Sequence, residues 1–442
     1  MSTARTFRGG IHPVGYKELT SGKAIVTMPA PAEVTVLLKQ HVGAPCKPLV
    51  KKGDVVNKGQ KIGDSDEFIS APVHAPVSGV VKAIQPCKDP SGSIVQAVVI
   101  ENDGEERLDP SIEPHPDLDQ LDAETIKSIV REAGIVGLGG ATFPTHVKLS
   151  PPPDKKIETL IVNGCECEPY LTCDHRLMVE QPERVVFGTR AMMKALGIKQ
   201  AYIGIEDNKP DAIAALNKAT ADYPDIEVVP LKYKYPQGCE RQLITAITGK
   251  QVPANGLPMD IGIVVNNVET AAAVQTAIET GMPLIERVVT VSGEGVKNPQ
   301  NLLVRIGTPI GEAIEAAGGF NGSPKQVIIG GPLTGVTQSD LSVPVTKCNT
   351  GILVFNELKK PNKPEPCIRC GRCVDVCPAF LLPVTLANLS DIGQFDKAVE
   401  MGLLSCVECG SCSYVCPAHR FLLQSIQLAK QEVEAKSYKK TS

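Results

Sequence analysis

The chain has 442 residues, and its 45 Lys and Arg against 49 Asp and Glu leave a net charge of −4. That length holds roughly three or four domains, each with its own core. The balanced charge and the absence of a long basic stripe exclude nucleic acid as the expected partner. No run of about 18 apolar residues exists, so no membrane-spanning helix is expected. Met1 to His12 is polar and lacks the apolar region of a secretion signal. With 15 Cys and no such signal, a reducing compartment is expected rather than a disulfide framework.

From the N-terminus to about Leu108, short apolar runs alternate with Gly and Pro, as in Gly53-Asp54-Val55-Val56 and Ala75-Pro76-Val77-Ser78-Gly79-Val80-Val81. This pattern predicts β structure. The pieces are similar to a lipoyl or biotinyl carrier sandwich, which carries a modifiable Lys at a hairpin tip. The matching stretch here, Phe68 to His74, contains no Lys. A scaffold or docking module is therefore expected, with His74 on its surface. Leu108 to Leu121 is rich in Asp, Glu and Pro and reads as a linker.

A helix–strand alternation follows. Helices are expected at Glu124–Ala133, Glu183–Leu196 (capped by Gly197), Asp211–Ala219 and Glu269–Glu279. Strands are expected at Thr159–Asn163, Ala201–Ile205, Glu227–Leu231 and Asp260–Val265. Such an order predicts an open α/β sheet with ligand at the strand ends. Four turns punctuate it. Gly134 to Thr145 carries Gly137, Gly139 and Gly140, whose backbone can approach a ligand and whose amides can form an anion nest. It lacks the spacing of the usual dinucleotide fingerprint and could equally be a tight turn. Asn163-Gly-Cys-Glu166-Cys-Glu168-Pro169 ends a strand with two carboxylates, which can hold ribose or simply be solvated. Tyr235 to Arg241 is a Gly turn opening a helix, and Asn266-Asn267-Val268-Glu269-Thr270 joins a strand to a helix. Those Asn amides can hold a flavin or a phosphate, or cap the helix.

From about Arg287 the pattern returns to β, with strands expected at 287–292, 302–306, 326–329 and 351–355 and a helix at Ile310–Ala316. This order fits a small grasp-type module. Lys359 to Glu365 is a Pro/Lys linker. Two cysteine runs then repeat one pattern, C-x2-C-x2-C-x3-C-P: Cys367, Cys370, Cys373, Cys377 and Cys406, Cys409, Cys412, Cys416. Zinc usually takes paired C-x2-C or His ligands, so two [4Fe–4S] clusters fit this pattern better. In such runs the fourth Cys ligates the other cluster. The expected ligand sets are Cys367, Cys370, Cys373 with Cys416, and Cys406, Cys409, Cys412 with Cys377. The 28 residues between the runs have helical character at Ala398–Leu404, which favours an all-helical cluster domain. Phe421, Leu422, Ile426 and Ala429 recur at helical spacing and are expected in its core. Lys430 to Ser442, with four Lys and two Glu, is expected to be a solvated end.

The segments G-L-G-G-A-T-F-P-T-x-x-K, N-G-C-E-C-E-P and N-N-V-E-T resemble the NADH- and FMN-binding subunit of respiratory complex I. With the N-terminal sandwich, the opening F-R-G-G-I-H-P, the grasp module and the two Cys runs, nearly the whole chain resembles the family of C subunits of the Rnf electron-transport complex. The resemblance implies a multidomain α/β plus β protein. Its parts are a lipoyl-like barrel-sandwich (1–108), a Rossmann-like FMN/NADH domain (120–284), a β-grasp module of SLBB type (285–357) and a helical two-[4Fe–4S] ferredoxin domain (363–434). It implies that Gly137, Gly139, Gly140, Lys148, Asn163, Glu166, Asn266 and Asn267 contact FMN. It implies that Phe143, Glu168 and Glu240 place NAD(H). Leu138, Cys165 and Cys239 depart from the complex I pattern. The implied activity is that of a ferredoxin:NAD+ oxidoreductase coupled to ion movement. Its partners would be membrane and iron–sulfur subunits and, indirectly, ferredoxin, with the chain peripheral on the cytoplasmic side. A corrinoid reductase of the same layout and a nucleotide-free electron relay are the alternatives. The other cysteines, Cys165, Cys167, Cys173 and Cys239 among them, fit no cluster spacing and are expected in turns or core.

Overall fold

The computed structural model describes residues 4–357 and 363–441, with side chains to residue 436. The first four positions of the Lys359 to Glu365 linker, and the end of the C-terminal tail, lie outside these.

At the centre is a four-stranded parallel sheet in the order Ile226–Leu231, Ala201–Glu206, Thr159–Asn163, Ile263–Asn267. The chain lays down Thr159–Asn163 first, then builds outward on one side. It next crosses back to add Ile263–Asn267 on the other side. The strand order therefore reverses between those two strands, and such a switch point leaves a crevice at their carboxyl ends. Both strands end in Asn, so the sequence motifs N-G-C-E-C-E-P and N-N-V-E-T open onto the same crevice. Helices Ala123–Glu132, Pro182–Leu196, Pro210–Ala219 and Val268–Thr280 cover the sheet. Their apolar faces join Leu160, Val162, Ile203 and Val264 in one core. Gly197 ends its helix at φ +67°, which a glycine adopts without strain.

Three elements differ from expectation here. The last strand begins at Ile263, because Pro258–Ile261 forms a 3-10 turn that Gly262 closes. Asn266 and Asn267 are thus the end of the strand itself. A short helix, Thr145–Lys148, which no expectation covered, follows the glycine turn directly and precedes the expected strand Thr159–Asn163. A further helix, Cys173–Glu180, had no apolar periodicity to announce it.

The barrel-sandwich consists of a four-stranded sheet (Glu33–Leu37, Ile94–Asn102, Gly79–Lys88, Val55–Val56) and a three-stranded one (Lys47–Pro48, Lys61–Asp64, Val73–His74). Val34, Val36, Ile62, Val73, Val98 and Ile100 fill it by strand alternation. The strands of its two sheets run from Glu33 to Asn102. Arg5 to Ile11 runs along the middle domain, and Ile25–Thr27 is an edge strand of the third sheet, parallel to Gln300–Arg305. His74 is also corrected: it is buried, because the hairpin tip packs on the middle domain. Phe68 O accepts from His146 at 3.1 Å, and Val42 N donates to Thr142 O at 3.2 Å. The Leu108 to Leu121 linker lies on the middle domain too, with His115 N donating to Ile278 O at 2.7 Å.

The third sheet has six strands and packs Ile310–Ala316 on one face. The C-terminal domain is helical, with Leu386, Ala398, Leu403, Ile426 and Ala429 in its core. Leu422 is buried there as expected, whereas Phe421 is 46 % exposed because it precedes the helix that begins at Leu422.

Lys347 joins three of these units. It is fully buried, and its Nζ donates to Pro72 O at 2.8 Å and Gly134 O at 2.7 Å. Burial without a carboxylate holds its amine down to about 8. Lys347→Met keeps the length but strands two buried carbonyls, each costing on the order of 1–3 kcal/mol. Thermal unfolding should show a clearly lower midpoint, and an unchanged midpoint would remove Lys347 as a junction.

Candidate functional site

The crevice is built from the switch point outward. Asn163 donates to Gly238 O at 2.8 Å, tying its strand end to the loop after Ile226–Leu231. Lys148 reaches across to Val265 O at 2.9 Å and Glu240 at 3.4 Å. The glycine turn closes through Gly137 N to Phe143 O (2.9 Å) and Thr142 N to Gly137 O (3.1 Å). This leaves the amides of Gly139 to Ala141 outside the turn's own bonds. A Cβ on Gly139 would come within 3.2 Å of Asn267 Cβ, so the turn and the strand end touch. Gly140, at φ +112°, faces open space. Leu138 points the other way, into the core, and its N–H donates to Thr270 at 2.9 Å.

Asn266 supplies the sharpest sign of a ligand site. Its side chain is buried, yet both amide atoms lack a partner. An unmade pair of this kind costs several kcal/mol unless a ligand fills it, on the order of 1–3 kcal/mol per group. Asn267 behaves differently. Its Oδ1 accepts from Glu269 N at 2.8 Å as a helix cap, and its Nδ2 donates to Asp174 at 2.7 Å. A flat ring with a phosphate tail matches these parts: free turn amides, an open Gly140, an unpaired Asn266 and the Lys148 ammonium.

Two expected residues face elsewhere. The Glu166 carboxylate accepts from Asp174 N at 2.7 Å, at the start of helix Cys173–Glu180. It is a helix-terminal anion with Lys17 Nζ 3.9 Å away. Lys17 also binds the carbonyls of Glu166, Glu168 and Leu171 at 2.8, 3.0 and 2.6 Å, and so fixes the turn. The Glu168 carboxylate accepts from Thr334 Oγ1 at 2.6 Å and Leu333 N at 3.1 Å, on a loop of the third sheet. Phe143 and Glu240 stay at the crevice, half-buried.

Asp174 is a site residue that the sequence did not reveal, because an Asp at the start of an unrecognised helix looks like an ordinary cap. Burial pushes its carboxyl up to about 8, and the charges of Glu166 and Glu269 add to this. The shift favours its protonated form, one hydrogen bond from Asn267 at the crevice. Burial also raises Cys165, Cys167 and Cys239, the last to about 12. Burial favours their neutral thiol form, which argues against use as nucleophiles.

The cysteine runs come together crosswise. Cys377 of the first run lines one apolar cavity with Cys406, Cys409 and Cys412 of the second. Burial raises the Cys373 thiol, and Cys416 and Cys370 beside it add to that rise. Cys367 and Cys370 are exposed. Four thiols gathered on one apolar cavity fit an iron–sulfur cubane. The first cavity faces the middle domain: Gln242 donates to Pro378 O at 3.0 Å.

Fold and site together define a class: an electron-transfer protein with a nucleotide crevice and an attached two-cluster domain. Comparison with known families and proteins agrees. Residues 130–276 match the Nuo51 FMN-binding domain. Residues 5–105 match the RnfC barrel sandwich hybrid domain. Residues 288–337 match the SLBB domain, and 359–417 a 4Fe-4S dicluster domain. The chain is 50 % identical over 435 residues to the C component of the Na(+)-translocating ferredoxin:NAD(+) oxidoreductase complex of Acetobacterium woodii, covering 98 % of each. It is 48 % identical to the proton-translocating counterpart of Clostridium ljungdahlii, covering 98 % of this chain and 94 % of that one. A solved NAD+-reducing [NiFe]-hydrogenase shares the fold, at 23 % identity and TM-score 0.51, over 72 % of this chain and 67 % of that one. The chain belongs to the family of C subunits of ion-translocating (Rnf) oxidoreductase complexes. Among the described residues no helix is long and apolar enough to cross a membrane.

Asp174 makes a pH prediction. Its folded pKa is raised above the ordinary 3.8, so the native state holds the extra proton. That stability is complete below about pH 4 and is lost as pH rises through about 8. Asp174→Asn should flatten the fall in melting temperature across this window. A slope identical to that of the unaltered protein would remove Asp174 as its source.

Proposed function

We propose that this chain is the NAD(H)- and FMN-binding subunit of a membrane ion-translocating ferredoxin:NAD+ oxidoreductase. One observation carries the reading. The crevice with the unpaired Asn266 and the cavity lined by Cys377, Cys406, Cys409 and Cys412 both abut the segment Tyr235 to Gln242. When bound, FMN supplies the exchange between hydride and single electrons, and the clusters supply one-electron relays.

The chain's own residues bind and orient. Gly137, Gly139 and Gly140 offer backbone amides to phosphate, and Lys148 offsets its charge. Asn163, Asn266 and Asn267 frame the ring, and Glu166 braces them through the start of helix Cys173–Glu180. Phe143 gates the crevice mouth. Glu240 places the nucleotide, and Glu168 ties the carboxylate turn beside it to the Leu333–Thr334 loop. We assign Cys367, Cys370, Cys373 and Cys416 to one cluster and Cys377, Cys406, Cys409 and Cys412 to the other. No side chain has to act as a nucleophile. Relatives named as components of ion-translocating complexes over the whole chain favour this reading over a corrinoid reductase, and the crevice favours it over a bare relay.

The chain is one member of a complex of several subunits. We further propose that its neighbours are membrane and iron–sulfur subunits, that ferredoxin is reached through them, and that the chain sits peripherally on the cytoplasmic side. The unit boundaries 1–108, 120–284, 285–357 and 363–434 belong to the same proposal.

Anaerobic purification with iron, sulfide and flavin analysis is the direct test. About eight iron and eight sulfide with one FMN, all bleached by NADH, are expected. Asn266→Leu should lose FMN and keep iron. Full iron with no flavin and no response to NADH would leave only a relay. Protease added to inside-out membrane vesicles should digest the chain, and protection would refute the cytoplasmic placement.

A further inference from the structure

The segment Phe7 to Ile11 touches two domains at once. Arg5 pairs with Leu231 at the edge of the parallel sheet, donating to Pro230 O at 3.2 Å and accepting from Lys232 N at 2.9 Å. Two residues on, Phe7 is buried under Lys234, whose ammonium lies 4.3 Å from the ring centroid and donates to Phe7 O at 2.8 Å. Ile11 and Tyr235 exchange both backbone bonds, at 2.8 and 2.9 Å. Between these two anchors the chain turns outward to the cluster domain. Gly10 N donates to Val376 O at 2.8 Å. A Cβ on Gly9 would lie 3.0 Å from Cys377 O.

The segment is thus fastened to the middle domain at both ends and bonded at its middle to the residue before an expected cluster ligand. Both glycines have positive φ, +85° and +79°. A Cβ on Gly10 would also lie 2.5 Å from Tyr235 O. Only residues without a Cβ can turn this way while touching backbone on both sides. Tyr235 is itself buried on the segment that leads to Cys239, Glu240 and Gln242. The contact therefore runs from the cavity of Cys377 to the loop that borders the crevice.

We propose that Phe7 to Ile11 is a clamp that fixes the cluster domain on the mouth of the crevice, with Gly9 and Gly10 as its positioning residues. This rests on the ligand and cofactor assignment above, and goes beyond it in giving the opening segment a role in inter-domain geometry. Neither glycine is among the residues assigned to hold a cofactor. Their effect is on where Val376 and Cys377 sit.

The test uses the full chain, purified anaerobically, with Gly10→Ala and the milder Lys234→Met, which releases the Phe7 anchor without a new Cβ clash. Hydrogen–deuterium exchange of peptides spanning 376–382 and 233–242 should rise in both variants, with iron and flavin content unchanged. In stopped-flow mixing with NADH, flavin reduction should keep its rate while cluster bleaching slows about tenfold or more. Unchanged exchange together with an unchanged bleaching rate in Lys234→Met and Gly10→Ala would overturn the clamp. If Gly10→Ala does not fold, Lys234→Met decides alone by the same two measurements. If the unaltered protein does not respond to NADH, the nucleotide assignment fails, and the exchange data still decide the clamp.

Discussion

The buried ion pair between Arg287 and Glu269 is the constraint on which the rest of the structure hangs. Both side chains are sealed from solvent. Glu269 opens the helix that follows Asn266 and Asn267, and it also accepts Val288 N at 2.7 Å from the third sheet. Arg287 donates in addition to Leu138 O at 3.3 Å, under the glycine turn, and to Lys347 O. One guanidinium therefore holds the turn, the Asn-bearing strand end and the third sheet in one frame. Burial pushes the Glu269 carboxyl up, and Arg287 and the Val288 amide oppose that rise. A buried pair of this kind gives little net stability as a pair, but losing one partner costs on the order of 3–5 kcal/mol. Its effect is geometric: the crevice cannot open on one side without breaking it.

The same economy of contacts governs the domain junctions. Lys347 ties the barrel-sandwich to the middle domain through two carbonyls, and Glu168 ties the carboxylate turn to the Leu333–Thr334 loop. The barrel-sandwich tip, where a carrier domain would hold its lysine, instead rests on the short helix that carries His146 and Lys148. A fold built to swing a cofactor arm serves here as a fixed buttress. That change follows from its residues: Phe68 to His74 offers apolar groups and backbone in place of an exposed amine.

Much of this was legible beforehand. The helices and strands of the middle domain were marked by period, glycine caps and Ala-rich faces, and they fall within a residue or two of their expected limits, except the strand expected from Asp260, which begins at Ile263. The cluster domain was legible because ligand spacing is itself the chemistry. His74 and Phe421 were misjudged for the same reason: exposure at a domain edge depends on what packs there, which periodicity does not encode. The helix Cys173–Glu180 escaped because its sequence mixes charges and Cys without an apolar stripe. Asp174 escaped with it.

By itself the sequence determined the local chemistry: the crosswise thiol runs, the glycine turn, the Asn-terminated strands and the order of units along the chain. These are local because spacing within a few residues decides ligand reach and backbone conformation. Tertiary structure alone decided which of those parts meet. It turned Glu166 to a helix start and Glu168 to another sheet, left Asn266 unpaired, and drew the opening segment, more than two hundred residues away in sequence, between the crevice loop and Cys377. Such long-range pairings depend on how whole faces pack, and no short pattern in the chain can specify them.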